Sequence, residues 1–338
     1  MTYTIEKVTT LIGARRYGDN DTNIGFILTD SRSLCFPEET LFFALKSERN
    51  DGHNYIPELY RRGVKNFVVT DVPKGYASDY PEANFLKVVN TLEALQRLAE
   101  RHRDEFNIPI VGITGSNGKT MVKEWLYQLL SPSMFVTRSP RSYNSQIGVP
   151  LSVWLMNEQT QVGVFEAGIS QPGEMLALRD IIQPTIAVLT NVGSAHQENF
   201  SSLEEKCREK LILFHDAETV VYDGDDEVIT KVVAEYPDYK GEKLFWSLQN
   251  PEAPFYVKKI EKQQSVSVIT YIYKGVEDSF SIPFIDDASI QNSIICAAVA
   301  SKIGLSAEDI DKRMALLEPV AMRLEVKVGQ HGCTLIND

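Results

Sequence analysis

The stretch Ile110-Val111-Gly112-Ile113-Thr114-Gly115-Ser116-Asn117-Gly118-Lys119-Thr120 passes from an apolar run through a glycine-rich turn into a Lys-Thr pair. Beyond it, Met121, Val122, Trp125, Leu126, Leu129 and Leu130 recur at helical spacing. The segment reads as strand, phosphate loop, helix. Glycines let backbone N–H groups converge on phosphate oxygens, and a helix N-terminus adds partial positive charge. In such a loop Lys119 reaches the β- and γ-phosphates of ATP, and the Thr120 hydroxyl holds Mg²⁺. The spacing departs from the common pattern, because Gly112 lies one residue too far from Gly118 and Gly115 too near. An ordinary glycine turn before a helix is the alternative; Gly-Lys-Thr at a strand-to-helix switch favours the nucleotide.

A chain of 338 residues, 43% of them hydrophobic, can bury more than one core. Its net charge of −12 argues against nucleic acid as a partner, although a local basic pocket would still suit a small anion. The four cysteines, Cys35, Cys207, Cys296 and Cys333, lie far apart, which fits reduced thiols in a cytoplasm rather than a metal cluster. The N-terminus lacks the basic start and apolar core of a signal peptide, and no apolar run approaches bilayer length, so no membrane span is expected.

Taken in order, residues 1–106 read as a small α/β domain. Strands are expected at 41–45, 64–69 and 85–89, with helices at 55–62 and from the capping-box-like Asn90-Thr91-Leu92-Glu93 to about Glu105. From 107 to 320 strand–helix alternation predicts a doubly wound, mainly parallel sheet, with helices near 146–156, 173–181, 203–214 and 288–303. Val162 to Phe165 and Thr185 to Leu189 are apolar enough to be covered on both faces. The β-rich stretch 244–285 reads as an antiparallel extension of that sheet. Residues 321–338 show a strictly alternating strand, a turn and the beginning of another strand, which we take as the start of a truncated third domain.

Several residues could carry chemistry. Glu166 ends the strand Val162 to Phe165, and the carboxyl ends of parallel strands line the ligand crevice, so it is a candidate Mg²⁺ ligand. His196 sits on the loop after the next strand. Lys210 falls on the apolar stripe Leu203, Cys207, Leu211 and Phe214 of a helix beginning near Leu203, whereas Lys206 lies further round, toward solvent. A buried amine tends to lose its proton and could take up CO₂ as a carbamate; a snorkelling surface lysine is the alternative, and the pattern alone favours it. Asp30-Ser31-Arg32 and Asp51-Gly52-His53 read from spacing as polar turns, with an anion clamp through Arg32 as the other reading. Arg138 and Arg141, in the polar stretch before Asn144 and Ser145, could meet an anionic substrate or belong to a solvated loop. Asn292 and Arg323 have no chemistry legible from spacing.

Together these pieces resemble the Mur ligases of peptidoglycan synthesis. Thr114-Gly115-Ser116-Asn117-Gly118-Lys119-Thr120 is similar to that family's own form of the phosphate loop. Asp30-Ser31-Arg32 with Asp51-Gly52-His53 resembles the uridine-nucleotide domain of its later branches. Asn144, Ile147-Gly148-Val149-Pro150, Asn191 and Ala195-His196 resemble the branch that joins D-Ala-D-Ala to UDP-MurNAc-tripeptide. The wording Arg141-Ser142-Tyr143-Asn144-Ser145-Gln146 is also similar to a form fused to an alanine racemase domain.

The resemblance implies an ATP-dependent amide ligase with a UDP-sugar domain, a central ATP domain and a third, C-terminal domain absent from this chain. It implies Thr114 to Thr120 as the ATP loop, and Thr120, Glu166, His196 and a carbamylated Lys210 as ligands of two Mg²⁺ ions. Lys119, Glu166, His196 and Lys210 become the catalytic set. Ser31, Arg32, Asn144 and Ser145 become substrate contacts, and Asn292, Arg323 and Asp338 ATP contacts. Ser145 stands where the branch usually has a second Asn, and Gln291 where it often has His. The rival readings are a neighbouring branch of the family, a phosphate-loop ATPase of another family, and a non-catalytic nucleotide-binding protein.

Overall fold

The computed structural model describes residues 1–193, 199–236, 239–320, 325–328 and 334–337, the last two stretches as backbone only. Two compact units emerge, one of residues 1–107 with 146–158, the other of 108–145 with 159–338.

The first unit contains β1 (Tyr3–Thr4), α1 (Ile5–Ile12), β2 (Arg15–Tyr17), β3 (Asn23–Ile24), β4 (Phe26–Leu28), β5 (Thr40–Phe43), α2 (Ile56–Arg61), β6 (Asn66–Val69), α3 (Tyr76–Asp79), β7 (Asn84–Lys87) and α4 (Thr91–Arg103). Its main sheet runs β2-β7-β6-β5-β4, parallel except for β2. Alternate strand residues face opposite layers. Leu41, Phe43, Val68 and Leu86 pack with Ile5, Val8, Leu95 and Leu98, while Phe42, Phe67, Val69 and Phe85 pack with Ile56 and Leu59. The expected start of α4 holds, since Asn90 Oδ1 accepts from the N–H groups of Leu92 and Glu93.

The second unit contains β8 (Ile110–Thr114), α5 (Lys119–Leu130), β9 (Val136–Arg138), β10 (Val162–Glu166), α7 (Glu174–Ile182), β11 (Ile186–Leu189), α8 (Leu203–Leu211), β12 (Thr219–Asp223), α9 (Glu227–Ala234), β13 (Glu242–Ser247), β14 (Phe255–Lys262), β15 (Ser267–Tyr273), β16 (Val276–Ile282), α10 (Asp287–Ile303) and α11 (Ala307–Met314), while α6 (Gly148–Val153), which lies between β9 and β10 in the chain, belongs to the first unit. The sheet order is β16-β15-β14-β13-β12-β11-β8-β10-β9. The chain goes from β8 outward to β9, returns through β10, and then crosses to β11 on the other flank of β8. That reversal makes the carboxyl end of β8 a topological switch point, where ligands of such sheets bind. One face of the sheet, including Val111, Ile113, Val164, Val188 and Leu244, packs on α5 and the thoroughly apolar α10. A doubly wound, mainly parallel sheet with an antiparallel extension is thus the observed fold.

The structure corrects three expectations. Antiparallel pairing begins only at β14–β15, because β13 is parallel to β12 and β14 parallel to β13. The last strand of this sheet, within a stretch whose apolar residues point to a strand at 280–285, starts at Val276 instead: Lys274 (φ 51°) and Gly275 (φ 78°) form a two-residue hairpin loop, and the solvated Glu277 and Asp278 hide the strand's start from an apolar count. Residues Gln146–Glu158 pack with the first unit rather than belonging to a continuous second domain. The cause is Trp154, whose indole N–H donates to the Gly25 carbonyl (3.0 Å) and whose ring lies against Tyr3 and His102. At the end of the chain, β17 (Glu325–Val328) and β18 (Thr334–Asn337) pair antiparallel as a separate two-stranded sheet. Among the described residues no helix is long and apolar enough to cross a membrane.

His102 gives the first unit a pH dependence. It is 1% exposed, and its Nε2 lies 3.1 Å from the Met156 carbonyl and its Nδ1 2.8 Å from the Tyr3 hydroxyl. A carbonyl only accepts, so Nε2 carries the proton and Tyr3 donates to Nδ1. Burial pushes the imidazole pKa down from 6.5 to about 4. Between those values the unfolded chain binds the extra proton, so stability falls as pH drops from 6.5 toward 4. We expect a loss of about 3 kcal/mol over that window, and a shallower slope in His102→Gln. Thermal melts across that range check this; identical slopes in both proteins would refute it.

Candidate active site

Backbone geometry explains the glycines of the phosphate loop. Gly115 has φ +145° and Gly118 φ +81°, both in the region that favours glycine. A Cβ on Gly115 would lie 1.9 Å from Thr190 Oγ1, and one on Gly118 would lie 2.5 Å from Asn292 Oδ1. The loop is clasped from β11, where the sequence reading had placed no role for Thr190 or Gly193. Thr190 Oγ1 donates to the Asn117 carbonyl, Asn191 Oδ1 accepts from the Asn117 N–H (3.0 Å), and Ser116 N donates to the Asn191 carbonyl (3.0 Å). Ser116 Oγ in turn accepts from Gly193 N (2.9 Å). Lys119 folds back across the loop, its Nζ donating to the carbonyls of Gly115 (2.8 Å) and Ser116 (3.3 Å). Thr114 Oγ1 is buried with no hydrogen-bond partner among the described residues.

Glu166 arrives from β10, whose register sets it opposite Ile113. It is fully buried, and Thr120 Oγ1 donates to its Oε2 (3.2 Å). Its backbone N–H is held by Ser139 Oγ at 3.2 Å. The other carboxylate oxygen, Oε1, lies 3.1 Å from Lys123 Nζ yet makes no well-directed hydrogen bond, so this contact is an ion pair only. Two hard oxygens, the Thr120 hydroxyl and the Glu166 carboxylate, therefore stand side by side at the start of α5. That donor set suits Mg²⁺, which takes one or two protein oxygens and completes its shell with phosphate and water.

Lys123 is the residue that sequence reasoning missed. It is fully buried, ion-paired with Glu166 and with Glu124 (3.0 Å), and donates to the Arg141 carbonyl. Its signal was available: Lys123 and Leu130 are seven residues apart, almost two full turns, and so share a face of α5. Removing one partner of a buried pair leaves an uncompensated charge. Lys123→Met is expected to destabilise the protein by roughly 3–5 kcal/mol, and the double variant with Glu166→Gln to recover part of that loss. Denaturant titration of the single and double variants checks this; additive losses would contradict the pairing.

α8 begins at Leu203, as its stripe suggested, capped by Ser202, whose Oγ accepts from Glu205 N (3.1 Å). Lys210 is 2% exposed, and its Nζ donates to the Gly115 carbonyl (3.1 Å). Burial, helped by the nearby Lys119 and Lys206 charges, pushes its pKa from 10.5 to about 7. Lys206 corrects the reading that turned it to solvent: it is also 2% exposed, with Nζ 2.5 Å from the Gly193 carbonyl. The two lysines are four positions apart, so they share a face, and the buried arc of α8 is wider than the stripe of Leu203, Cys207 and Leu211 suggested.

The other candidates fall in various places. Asn144 packs its amide against Gly168, where a Cβ would lie 2.8 Å from Asn144 Cγ, and its carbonyl accepts from Gly168 N (2.8 Å). Ser145 follows it in the same loop. Asn292 is buried against Gly118, with Nδ2 3.2 Å from Met121 Sδ. Arg138 is tied to Glu124 (3.0 Å) and lies 3.6 Å over the Tyr127 ring, whereas Arg141 is exposed. In the first unit Arg32 folds onto Asp30 (2.6 Å), holding that carboxyl down to about 2, and is 88% exposed; Ser31 begins the same turn. His53 is oriented within the first unit, with Nδ1 2.6 Å from Asp51 and Nε2 accepting from Thr70 N. His196, Arg323 and Asp338 lie outside the described residues. Among the described residues no group of three His, Cys, Asp or Glu gathers to hold a metal.

Residues 113–300 match the family described as "Mur ligase middle domain", and residues 23–103 match "Mur ligase family, catalytic domain". This chain belongs to the Mur ligase family.

Curated relatives include the UDP-N-acetylmuramoyl-tripeptide–D-alanyl-D-alanine ligases of Bacillus subtilis, 29% identical over 94% of this chain and 67% of that protein, and of Borreliella burgdorferi, 28% identical over 93% and 68%. The chain thus spans about two thirds of the length of these relatives. Among solved structures, a crystal structure of MurF from Acinetobacter baumannii shares the fold, with a TM-score of 0.88, 24% identity, and coverage of all of this chain and 73% of that one. MurF from Thermotoga maritima in complex with ADP is 25% identical, with a TM-score of 0.78 over 92% of this chain and 70% of that one. As a Mur ligase, the chain is an ATP-dependent amide ligase by family.

Proposed function

We propose that this Mur ligase joins D-Ala-D-Ala to UDP-MurNAc-tripeptide through an acyl phosphate. The observation that carries the reading is the convergence on one phosphate loop of Glu166 from β10, through Thr120, and Lys210 from α8, through the Gly115 carbonyl. The names of its relatives supply the substrates.

The tripeptide carboxylate attacks the γ-phosphorus of ATP, releasing ADP and forming the acyl phosphate. The D-Ala-D-Ala amine then attacks the acyl carbon, expels phosphate and forms the amide. The loop from Thr114 to Thr120 cradles the phosphates, and the Lys119 ammonium meets the charge on the transferring phosphoryl group. Mg²⁺ at Thr120, Glu166 and His196, with a second ion at a Lys210 carbamate, would neutralise phosphate charge. The Lys210 amine forms that carbamate by attacking CO₂ and losing a proton. Its lowered pKa supplies the neutral amine, and the Lys119 and Lys206 ammoniums favour the anionic product. By family likeness, Ser31 and Arg32 hold the uridine-nucleotide end of the substrate, in a domain of residues 1–106. Asn144 and Ser145 contact the peptide end, and Asn292, Arg323 and Asp338 contact ATP, the last two at the junction with a C-terminal domain. On this reading, with ATP and a sugar nucleotide as substrates, the reaction belongs to the cytoplasm.

The full-length ligase should sustain ADP release over many turnovers only when UDP-MurNAc-tripeptide and D-Ala-D-Ala are both present, and without the amine it should stop at about one ADP per enzyme. Equal ADP release without the amine would instead indicate a phosphate-loop ATPase.

A further inference from the structure

A cavity of about 800 Å³ lies away from the phosphate loop, between α7, the turn after α8, α9 and the entry to β12 and β13. That volume is of the size that holds small organic ligands. Leu211, Phe214, Val233 and Tyr239 build apolar walls. At its margin, Leu176 and Tyr236 are 48% and 43% exposed, much for large apolar side chains.

Some charged groups lining this cavity are paired and some are not, and the Glu218 and Glu242 carboxylates lie close enough to its Tyr239 wall to act on that phenol. Of the carboxylates, Glu235 accepts from Arg208 Nε and Nη2, each at 2.7 Å, and Asp216 lies 2.8 Å from His215 Nδ1 and 4.0 Å from Arg179. The Arg179 guanidinium is held by Asp180. Lys240 and Lys243 also line the cavity, and neither has a carboxylate partner among the described residues. An apolar chamber edged by two ammonium groups complements a molecule with an apolar body and an anionic head.

We propose that this cavity is a second binding site, separate from the nucleotide site, for a small organic anion with an aromatic or aliphatic body. The site adjoins the catalytic helix. Leu211 follows Lys210 directly, and Glu209 accepts hydrogen bonds from Gly173 N (2.8 Å) and Met175 N (3.1 Å) at the start of α7. A ligand lodged there packs on the turn that carries Lys210.

The test uses 8-anilinonaphthalene-1-sulfonate and its neutral counterpart N-phenyl-1-naphthylamine, each titrated by fluorescence against the protein saturated with ADP and Mg²⁺. The anionic dye is expected to saturate at one site. Lys240→Glu with Lys243→Glu, both surface changes verified by circular dichroism, should weaken it at least tenfold and leave the neutral dye within twofold. No saturable signal, a signal abolished by ADP, or equal effects on the two dyes would overturn the proposal.

Discussion

Substituting Lys119 with alanine is expected to lower substrate-dependent ADP release in the full-length ligase by about 10²–10³-fold, the usual loss when one pre-aimed charge-stabilising donor is removed. The fold should survive. Lys119 spends its ammonium on two loop carbonyls, Gly115 at 2.8 Å and Ser116 at 3.3 Å, and such bonds are worth about 1 kcal/mol each. The loop's shape rests instead on its glycines and on Thr190, Asn191 and Gly193. A near-normal Tm with lost turnover would therefore separate chemistry from folding. Retained turnover in a well-folded variant would remove the loop from the mechanism.

Lys210→Ala is expected to cost ligation at least about a hundredfold, and a short carboxylate such as acetate or propionate should partly restore it by filling the place of the carbamate. Unaltered activity, or a loss that no carboxylate relieves, would count against the carbamate. Labelling with ¹³CO₂ gives an independent readout, a carbamate carbon signal present in the native protein and absent from the variant. The same amine predicts a pH effect on stability in CO₂-free buffer. Its folded pKa of about 7 lies below its ordinary 10.5, so between those values the unfolded chain binds more protons and stability rises with pH. The gain is on the order of a few kcal/mol and should vanish in Lys210→Met. Parallel pH profiles for the two proteins would show that the amine is not buried in solution.

Elements whose local pattern matched their tertiary role were legible in the sequence. The apolar run 110–114 with its glycine turn, the Asn90 and Ser202 caps, and the apolar α10 each carry their own signal, because a strand buried on both faces or a helix start needs particular residues within a few positions. Short edge strands such as β2 to β4 carry too few residues for any periodicity to register. Lys123 and Lys206 were missed for a different reason: a lysine beside an apolar stripe ordinarily snorkels to solvent, and only the partners brought by β10 and by the loop after β11 make their burial tolerable.

The sequence by itself determined that a phosphate loop follows an apolar strand and that Glu166 ends a parallel strand, since each follows from spacing within a single element; it set Lys210 on the apolar stripe of its helix, but spacing alone favoured a snorkelling surface lysine there. Tertiary structure decided what those residues touch. The β8 reversal sets Glu166 beside Thr120, the passage of α8 behind the loop sets Lys210 on the Gly115 carbonyl, and Trp154 draws residues 146–158 into the first unit. Such contacts join positions 46, 95 and 129 residues apart. No local pattern encodes a partner at that distance, because burial and strand order fix it only once the sheet has formed.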